Sequence, residues 1–397
     1  MTKKLIYLIS VLALSAHAGC GAEPPPADAD AGPPIDSGQP VDAGMPPTEM
    51  TDASPPDAAP PELEPLGPLG PGAATLAGRG TSGTADGTRD EALFNNPVGV
   101  AVGPEGDIYV ADFDNHAIRQ IAPDGYVTTL TTQLDFARPF GIVFDAQGRL
   151  FVQTDANPQG IATADTGTIW EIDRDTGEAK LIISDIGRPR GLAVLSDGRL
   201  VLADYLAHTV SLLDPDAADP TPTLLAGSLG ESGYVDDTGA AARFSVPLGV
   251  AVDEQDNIYV ADRENHCVRQ ITLDGEVTTV AGTPGSPGGK NGPLSMALFD
   301  RPNALAIDSF GVLYVTELNG YQVRRIDLDG DQVVTLAGTG IAGFADDEDP
   351  LAAEFFGLEG LSVAPAGEYL YIADGNRGEE PPAEFPYHRV RRLSLSD

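Results

Sequence analysis

The phrase NPVGVAVGPEGDIYVADFDNHAIRQIAPDGYVTTL, Asn96 to Leu130, returns as VPLGVAVDEQDNIYVADRENHCVRQITLDGEVTTVAG, Val246 to Gly282. It returns again as RPNALAIDSFGVLYVTELNGYQVRRIDLDGDQVVTLAG, Arg301 to Gly338. Shorter echoes start at Arg138 (RPFGIVFDAQGRLFVQTD), Arg188 (RPRGLAVLSDGRLVLAD) and Gly357 (GLEGLSVAPAGEYLYIADG). Six copies of one unit constrain the fold more than any other feature, because a repeat too short to bury its own faces must bury them against its neighbours. Each unit reads as four short strands. A small-residue strand such as Gly99 to Val102 is followed by Ile108 to Ala111, Ala117 to Ile121 and, after an Asp-Gly hairpin, Val127 to Leu130. Antiparallel sheets of this kind, arranged radially, make an all-β, six-bladed β-propeller, with the small residues Gly99, Ala101, Gly249 and Ala251 at the crowded axis.

The last unit runs out at Asp397 before a fourth strand, and the missing strand is found at the start. ATLAGRG, Ala74 to Gly80, begins with the words that end other units: TLLAG at Thr223, TVAG at Thr279 and TLAG at Thr335. The strand at about residues 74–77 is therefore expected to complete blade six and close the ring, which removes two open sheet edges.

What precedes residue 73 has a different character. Lys3 and Lys4 lead an apolar run from Leu5 to Ala16, too short to span a bilayer, which needs roughly 20 residues, and typical of a signal peptide over residues 1–19. Ala18-Gly19-Cys20 reads as the end of a bacterial lipobox, although His17 stands where Leu is usual, so Cys20 is the expected lipid attachment. Cleavage after Ala18, giving a soluble secreted protein, is the alternative. From Gly21 to Gly72 there are fifteen prolines and ten acidic residues with no Lys or Arg, a composition that cannot bury a core and serves as a solvated tether over residues 20–72. Export to the cell envelope, at the outer membrane, is the resulting expectation, with contact to the membrane through the lipid alone. With Cys20 lipidated, Cys267 has no partner for a disulfide.

The formal net charge of the chain is −37; the two lysines bring +2 and the tether −10, which leaves −29 on residues 73–397. Such a surface repels phosphate backbones, so nucleic acid is excluded as a partner.

The phrases VADFDNHAIRQI (Val110 to Ile121) and VADRENHCVRQI (Val260 to Ile271) resemble the NHL-repeat family, and the resemblance extends from Ala74 onward. It implies a six-bladed propeller, while the functions it implies are diverse: protein-binding and RNA-binding modules, sensors, a metal-dependent lyase and, among related propellers, lactonases. Function therefore has to be argued from the site.

Four histidines, His116, His208, His266 and His388, hold one place in four blades, where blade five has Tyr321. That place lies away from the axis, so the four are expected to pack within the repeat and not to converge on a metal. Acid and arginine recur together as Asp112 with Arg119, Asp262 with Arg269, Glu317 with Arg324 and Asp374 with Arg391, and are expected to pair within each blade. Blade two has Thr154 and Glu171 at these places, and blade three keeps Asp204 but has Ser211. Asp236-Asp237 and the run from Asp346 to Asp349 read as solvated turns, since neither they nor DLDGD at Asp327 carry the ligand spacing of a calcium loop.

The better candidate site is the central funnel. The residue after each recurrent proline, or its equivalent, falls near the mouth: Val98, Phe140, Arg190, Leu248, Asn303 and Glu359. These six all differ, although the scaffold makes the blades alike. Arg138, Arg188 and Arg301 lie beside them, and with Arg190 they either hold an anionic ligand or neutralise neighbouring acids. The expected function is a non-catalytic binding or scaffold module engaging an envelope protein, peptide or glycan through this face, with no cofactor. One alternative is a metal-dependent, lactonase-like hydrolase or lyase with Ca²⁺ or Zn²⁺ on Asn303 and Glu359. Another is a purely architectural envelope protein. No G-x-S-x-G elbow, H-E-x-x-H helix or paired-cysteine zinc motif points to catalysis.

Overall fold

The computed structural model describes residues 69–375 and 388–395. The expectations for the signal peptide, Cys20 and most of the tether lie outside them. Among the described residues the first strand, β1, is Ala73–Ala77. Blade one follows with β2 (Pro97–Val102), β3 (Ile108–Asp112), β4 (Ala117–Ile121) and β5 (Val127–Thr131). Blade two has β6 (Pro139–Phe144), β7 (Leu150–Thr154), β8 (Thr168–Ile172) and β9 (Ala179–Ile183). Blade three has β10 (Gly191–Val194), β11 (Leu200–Asp204), β12 (Thr209–Leu213) and β13 (Thr223–Gly227). Blade four has β14 (Pro247–Val252), β15 (Ile258–Asp262), β16 (Cys267–Ile271) and β17 (Val277–Ala281). Blade five has β18 (Pro302–Ile307), β19 (Leu313–Glu317), β20 (Gln322–Asp327) and β21 (Gln332–Ala337), and blade six has β22 (Leu358–Val363), β23 (Tyr369–Asp374) and β24 (Arg389–Ser394). β1 pairs antiparallel with β24, from Ala73 opposite Leu393 to Ala77 opposite Val390, so the ring closes as expected. The loop before blade six fastens it: Thr75 donates its N–H and Oγ1 to the Asp346 carboxylate, and Ala73 exchanges backbone hydrogen bonds with Asp347. The protein is a six-bladed β-propeller of four-stranded sheets.

The period-2 pattern of each strand produces this ring directly. In IYVAD of β3, Ile108 and Val110 pack toward blade six with Leu76 and Val390, whereas Tyr109 and Ala111 pack toward blade two with Phe140 and Val152. Blade four repeats the division, Ile258 and Val260 on one side and Tyr259 and Ala261 on the other. The core is thus six clusters, one in each seam between blades, and each buried Val, Leu or Ile contributes about 1.5–3 kcal/mol. At the axis the neighbouring strands touch backbone to backbone. A Cβ on Gly99 would stand 2.1 Å from the Phe140 carbonyl oxygen, and one on Gly191 would stand 1.8 Å from that of Leu248, so these positions admit only glycine.

The recurring histidines join blades. His116, His208, His266 and His388 each sit in the left-handed region, with φ between 54° and 71°. Their Nδ1 atoms accept the backbone N–H of Arg138, Val246, Arg301 and Asn96 respectively, each at the entrance to a blade that follows around the ring. Burial pushes His116 and His208 below the usual range and His388 down to about 4, so all three keep a lone pair for this role at neutral pH. Among the described residues no three His, Cys, Asp or Glu side chains gather as a metal site.

The acid and arginine pairs form as expected, at 2.9 Å for Arg119 with Asp112, 2.8 Å for Arg269 with Asp262, 3.0 Å for Arg324 with Glu317 and 3.1 Å for Arg391 with Asp374. Each arginine also stacks on a phenylalanine from the loop entering its blade: Phe94, Phe244, Phe299 and Phe355. Two sequence readings need correction. Asp236 and Asp346 are not merely solvated turns, because each also binds the buried arginine of its blade, Arg269 or Arg391. In blade two the residue at the arginine register is Trp170, opposite Val152 as Arg119 is opposite Val110, and not Glu171. Trp170 packs edge-on to Phe136 at 5.7 Å and donates Nε1–H to the hydroxyls of Thr154 and Thr168, so a neutral plug replaces the ionic one.

Candidate functional site at the funnel mouth

Pro97 lies opposite Asp112 in blade one, so the start of each first strand and the end of each second strand reach the same face of the disc. On that face Val98, Phe140, Arg190, Leu248, Asn303 and Glu359 line one cavity of about 70 Å³, floored by the axial glycines. Beyond the floor the axis opens on the other face into a cavity of about 270 Å³ lined by residues such as Val102, Phe144, Val194 and Ile307. The first mouth carries the polar side chains Arg190, Asn303 and Glu359, whereas the side chains around the second are apolar apart from Ser362.

The polar mouth is organised around Arg190. Its Nε and Nη2 donate to the Asp155 carboxylate, Nη2 at 2.7 Å, and its guanidinium carbon stands 4.3 Å from the Phe140 ring centroid and 4.9 Å from that of Tyr205. Phe113 meets Phe140 edge to face at 6.1 Å. Asp155 is 1% exposed. Burial works against its charge, but Arg190, Arg188 and a hydrogen bond from Gln153 together hold its carboxyl below the usual carboxylate range. The result is a mostly buried planar cation held by one carboxylate and walled by aromatic faces.

The other three arginines do not line the cavity. Arg188 donates to the Thr163 carbonyl and to Tyr205 Oη and lies 4.0 Å from Asp155. Arg301 pairs with Glu264 at 3.2 Å, and Arg138 lies over the Phe113 ring at 5.7 Å. Arg188, Arg190 and Arg301 thus each have an acidic partner within the fold.

Across the mouth Asn303 is fully buried and donates Nδ2–H to the carbonyls of Leu358 and Glu359 and, at 3.4 Å, to the Glu359 carboxylate. Two carbonyl acceptors fix the amide orientation, which leaves Asn303 Oδ1 buried without a protein donor. With Glu359 it offers two side-chain oxygen ligands. Ca²⁺ takes six to eight oxygens and zinc prefers nitrogen or sulfur, so these residues alone do not fit either ion.

Phe113, Asp155 and Tyr205 were missed in the sequence. They share one register, the residue after the end of each second strand, continued by Arg263, Leu318 and Gly375. These six also all differ, so the variation that marked the first ring marked a second one beside it.

Residues 94–121 and 244–271 match the family model described as NHL repeat. These stretches are NHL repeats. NHL repeat-containing protein 2 of Bos taurus is 29% identical over 301 residues, covering 62% of this chain and 41% of that protein. The chain thus spans about two fifths of the length of that relative. Among solved structures, an auxiliary nutrient binding protein from Bacteroides thetaiotaomicron superposes with a TM-score of 0.62 at 17% identity, covering 81% of this chain and 75% of that one. A gluconolactonase from Xanthomonas campestris superposes at 0.53 with 18% identity, covering 84% and 99%. The two superpositions show a shared propeller fold, which a nutrient binding protein and a gluconolactonase both use.

Proposed function

We propose that this propeller is a binding module whose polar funnel mouth engages a protein, peptide or glycan of the cell envelope. The observation that carries the reading is the aromatic-walled Arg190 at the mouth: Phe140, Tyr205 and Asp155 hold the cation in place before any ligand arrives, which lowers the ordering cost of binding. The basic and apolar start, Cys20 and the acidic Pro-rich stretch support presentation of the disc on a lipid-anchored tether. No helix among the described residues is long and apolar enough to cross a membrane. The nutrient-binding neighbour gives the fold a precedent for binding. A second reading, a metal-dependent hydrolase or lyase, would need ligands beyond Asn303 Oδ1 and Glu359 and draws on the gluconolactonase neighbour.

One experiment separates them. The purified chain is applied to glycan and peptide arrays with and without chelator, beside Arg190→Ala and Asn303→Ala. Binding that survives chelation and falls at least tenfold in Arg190→Ala supports the binding module. Signals that ignore Arg190→Ala, or that require Ca²⁺ and vanish in Asn303→Ala, overturn it.

A further inference from the structure

Five of the six blades fill the same internal slot. In blades one, four, five and six an arginine runs between the acid that ends the second strand and a phenylalanine of the entering loop, and in blade two Trp170 and Phe136 fill it. Blade three has the acid and nothing else. Ser211 stands opposite Leu202 at the arginine register, and Ile186, two residues before Arg188 as Phe94 is two before Asn96, replaces the phenylalanine. A cavity of about 500 Å³ lies there, lined by Asp204, Ser211, Leu202 and Ile186, with Leu206 and Leu229 on its outer side.

We propose that this slot binds an alkylguanidinium group, the head and stem of an arginine side chain, carried by a peptide or by a free small molecule. Asp204 accepts N–H groups from Arg188, Leu206 and Ala207, where Asp112 and Asp262 each accept one backbone N–H, from Asn95 and Ser245, and it lacks the guanidinium that its counterparts in blades one, four, five and six receive. It is 8% exposed, so its charge sits where a cation is worth most. Its titratable neighbour His208 is pushed down by burial, which weakens it as a counter-charge. The apolar outer wall, Leu206 and Leu229, suits the methylene stem, as the stems of arginines elsewhere cover apolar surface. The pocket is separate from the funnel, so the inference stands apart from the binding function assigned to Arg190.

The test is calorimetric titration of the purified chain with butylguanidinium and with butylurea, its neutral counterpart of the same shape. A saturable isotherm for butylguanidinium, at least tenfold weaker for butylurea, is expected. Ser211→Arg, which supplies the cation from within the chain, and Ser211→Met, which fills the slot without charge, are each expected to abolish it, and the second guards against a misfolded arginine variant. A blocked Gly-Arg-Gly peptide that binds more tightly than butylguanidinium identifies a peptide as the source, and weaker binding identifies a small molecule. Equal affinity for butylguanidinium and butylurea, undiminished binding in both variants, or no butylguanidinium isotherm would overturn the proposal.

Discussion

Replacing Arg269 by Met tests the logic of the blade plugs most directly. Arg269 is fully buried, and besides Asp262 it serves Asp236 and the carbonyls of Arg243 and Val235, with its guanidinium carbon 5.1 Å from the Phe244 ring centroid. Its removal leaves Asp262 buried with only Ser245 N–H and Asn265 Nδ2 as donors. Breaking a buried pair from one side costs about 3–5 kcal/mol, so a loss of about 4 kcal/mol is expected at pH 8. Asp262→Asn should cost less, about 2 kcal/mol, because Arg269 keeps Asp236. The double variant should then lose about 4 rather than about 6 kcal/mol, a coupling of about 2 kcal/mol. Urea unfolding of the four proteins measures each term, and a repeat at pH 5 adds a check. Burial pushes Asp262 up to about 6 even with Arg269 present, so at pH 5 the abandoned carboxylate escapes by protonation and the loss in Arg269→Met should shrink. Additive losses, or a penalty that does not change between pH 8 and pH 5, would refute the reasoning.

Two further outcomes follow from the same structure. Deleting Ala73 to Gly80 removes β1 and exposes the outer edge of β24, so the variant should aggregate or lose cooperative unfolding; light scattering and a melting curve like those of the intact chain would contradict the closure. Burial also raises Asp112 to about 6 and Glu317 to about 7, above the values these groups have in an unfolded chain. A raised folded pKa gives stability that is complete below about pH 4 and lost as pH rises through 6 to 7. Calorimetry should therefore find a higher Tm at pH 5.5 than at pH 8.5, and a flat or rising profile would count against it.

The ring was legible because its determinants are local and repeated. The alternation in IYVAD, the glycines at the axis and the stray TLAG word at the start each specify something on their own, and the structure uses each as read. The first funnel ring was legible for the same reason, as variation against a constant background. Asp155 was not, because it follows β7 in the blade that departs most from the pattern, and its partner Arg190 belongs to another blade. The arginine place of blade two was read one residue too late, at Glu171, because tryptophan does not look like a substitute for arginine until Phe136 and the two threonine hydroxyls are seen around it. The empty slot in blade three needed volume as well as sequence: Ser211 alone says that an arginine is missing, but not that the loop leaves its space open.

The axial glycines separate two jobs that most binding proteins must reconcile. Gly99, Gly141, Gly191, Gly249 and Gly360 set the diameter of the ring by contact with the carbonyl oxygen of a neighbouring strand, and the residue just before each one faces the mouth. A substitution at Val98 or Leu248 thus alters the chemistry of the rim without touching the spacing of the blades. Ligand preference on such a disc is free to drift, one blade at a time, while the architecture underneath stays unchanged.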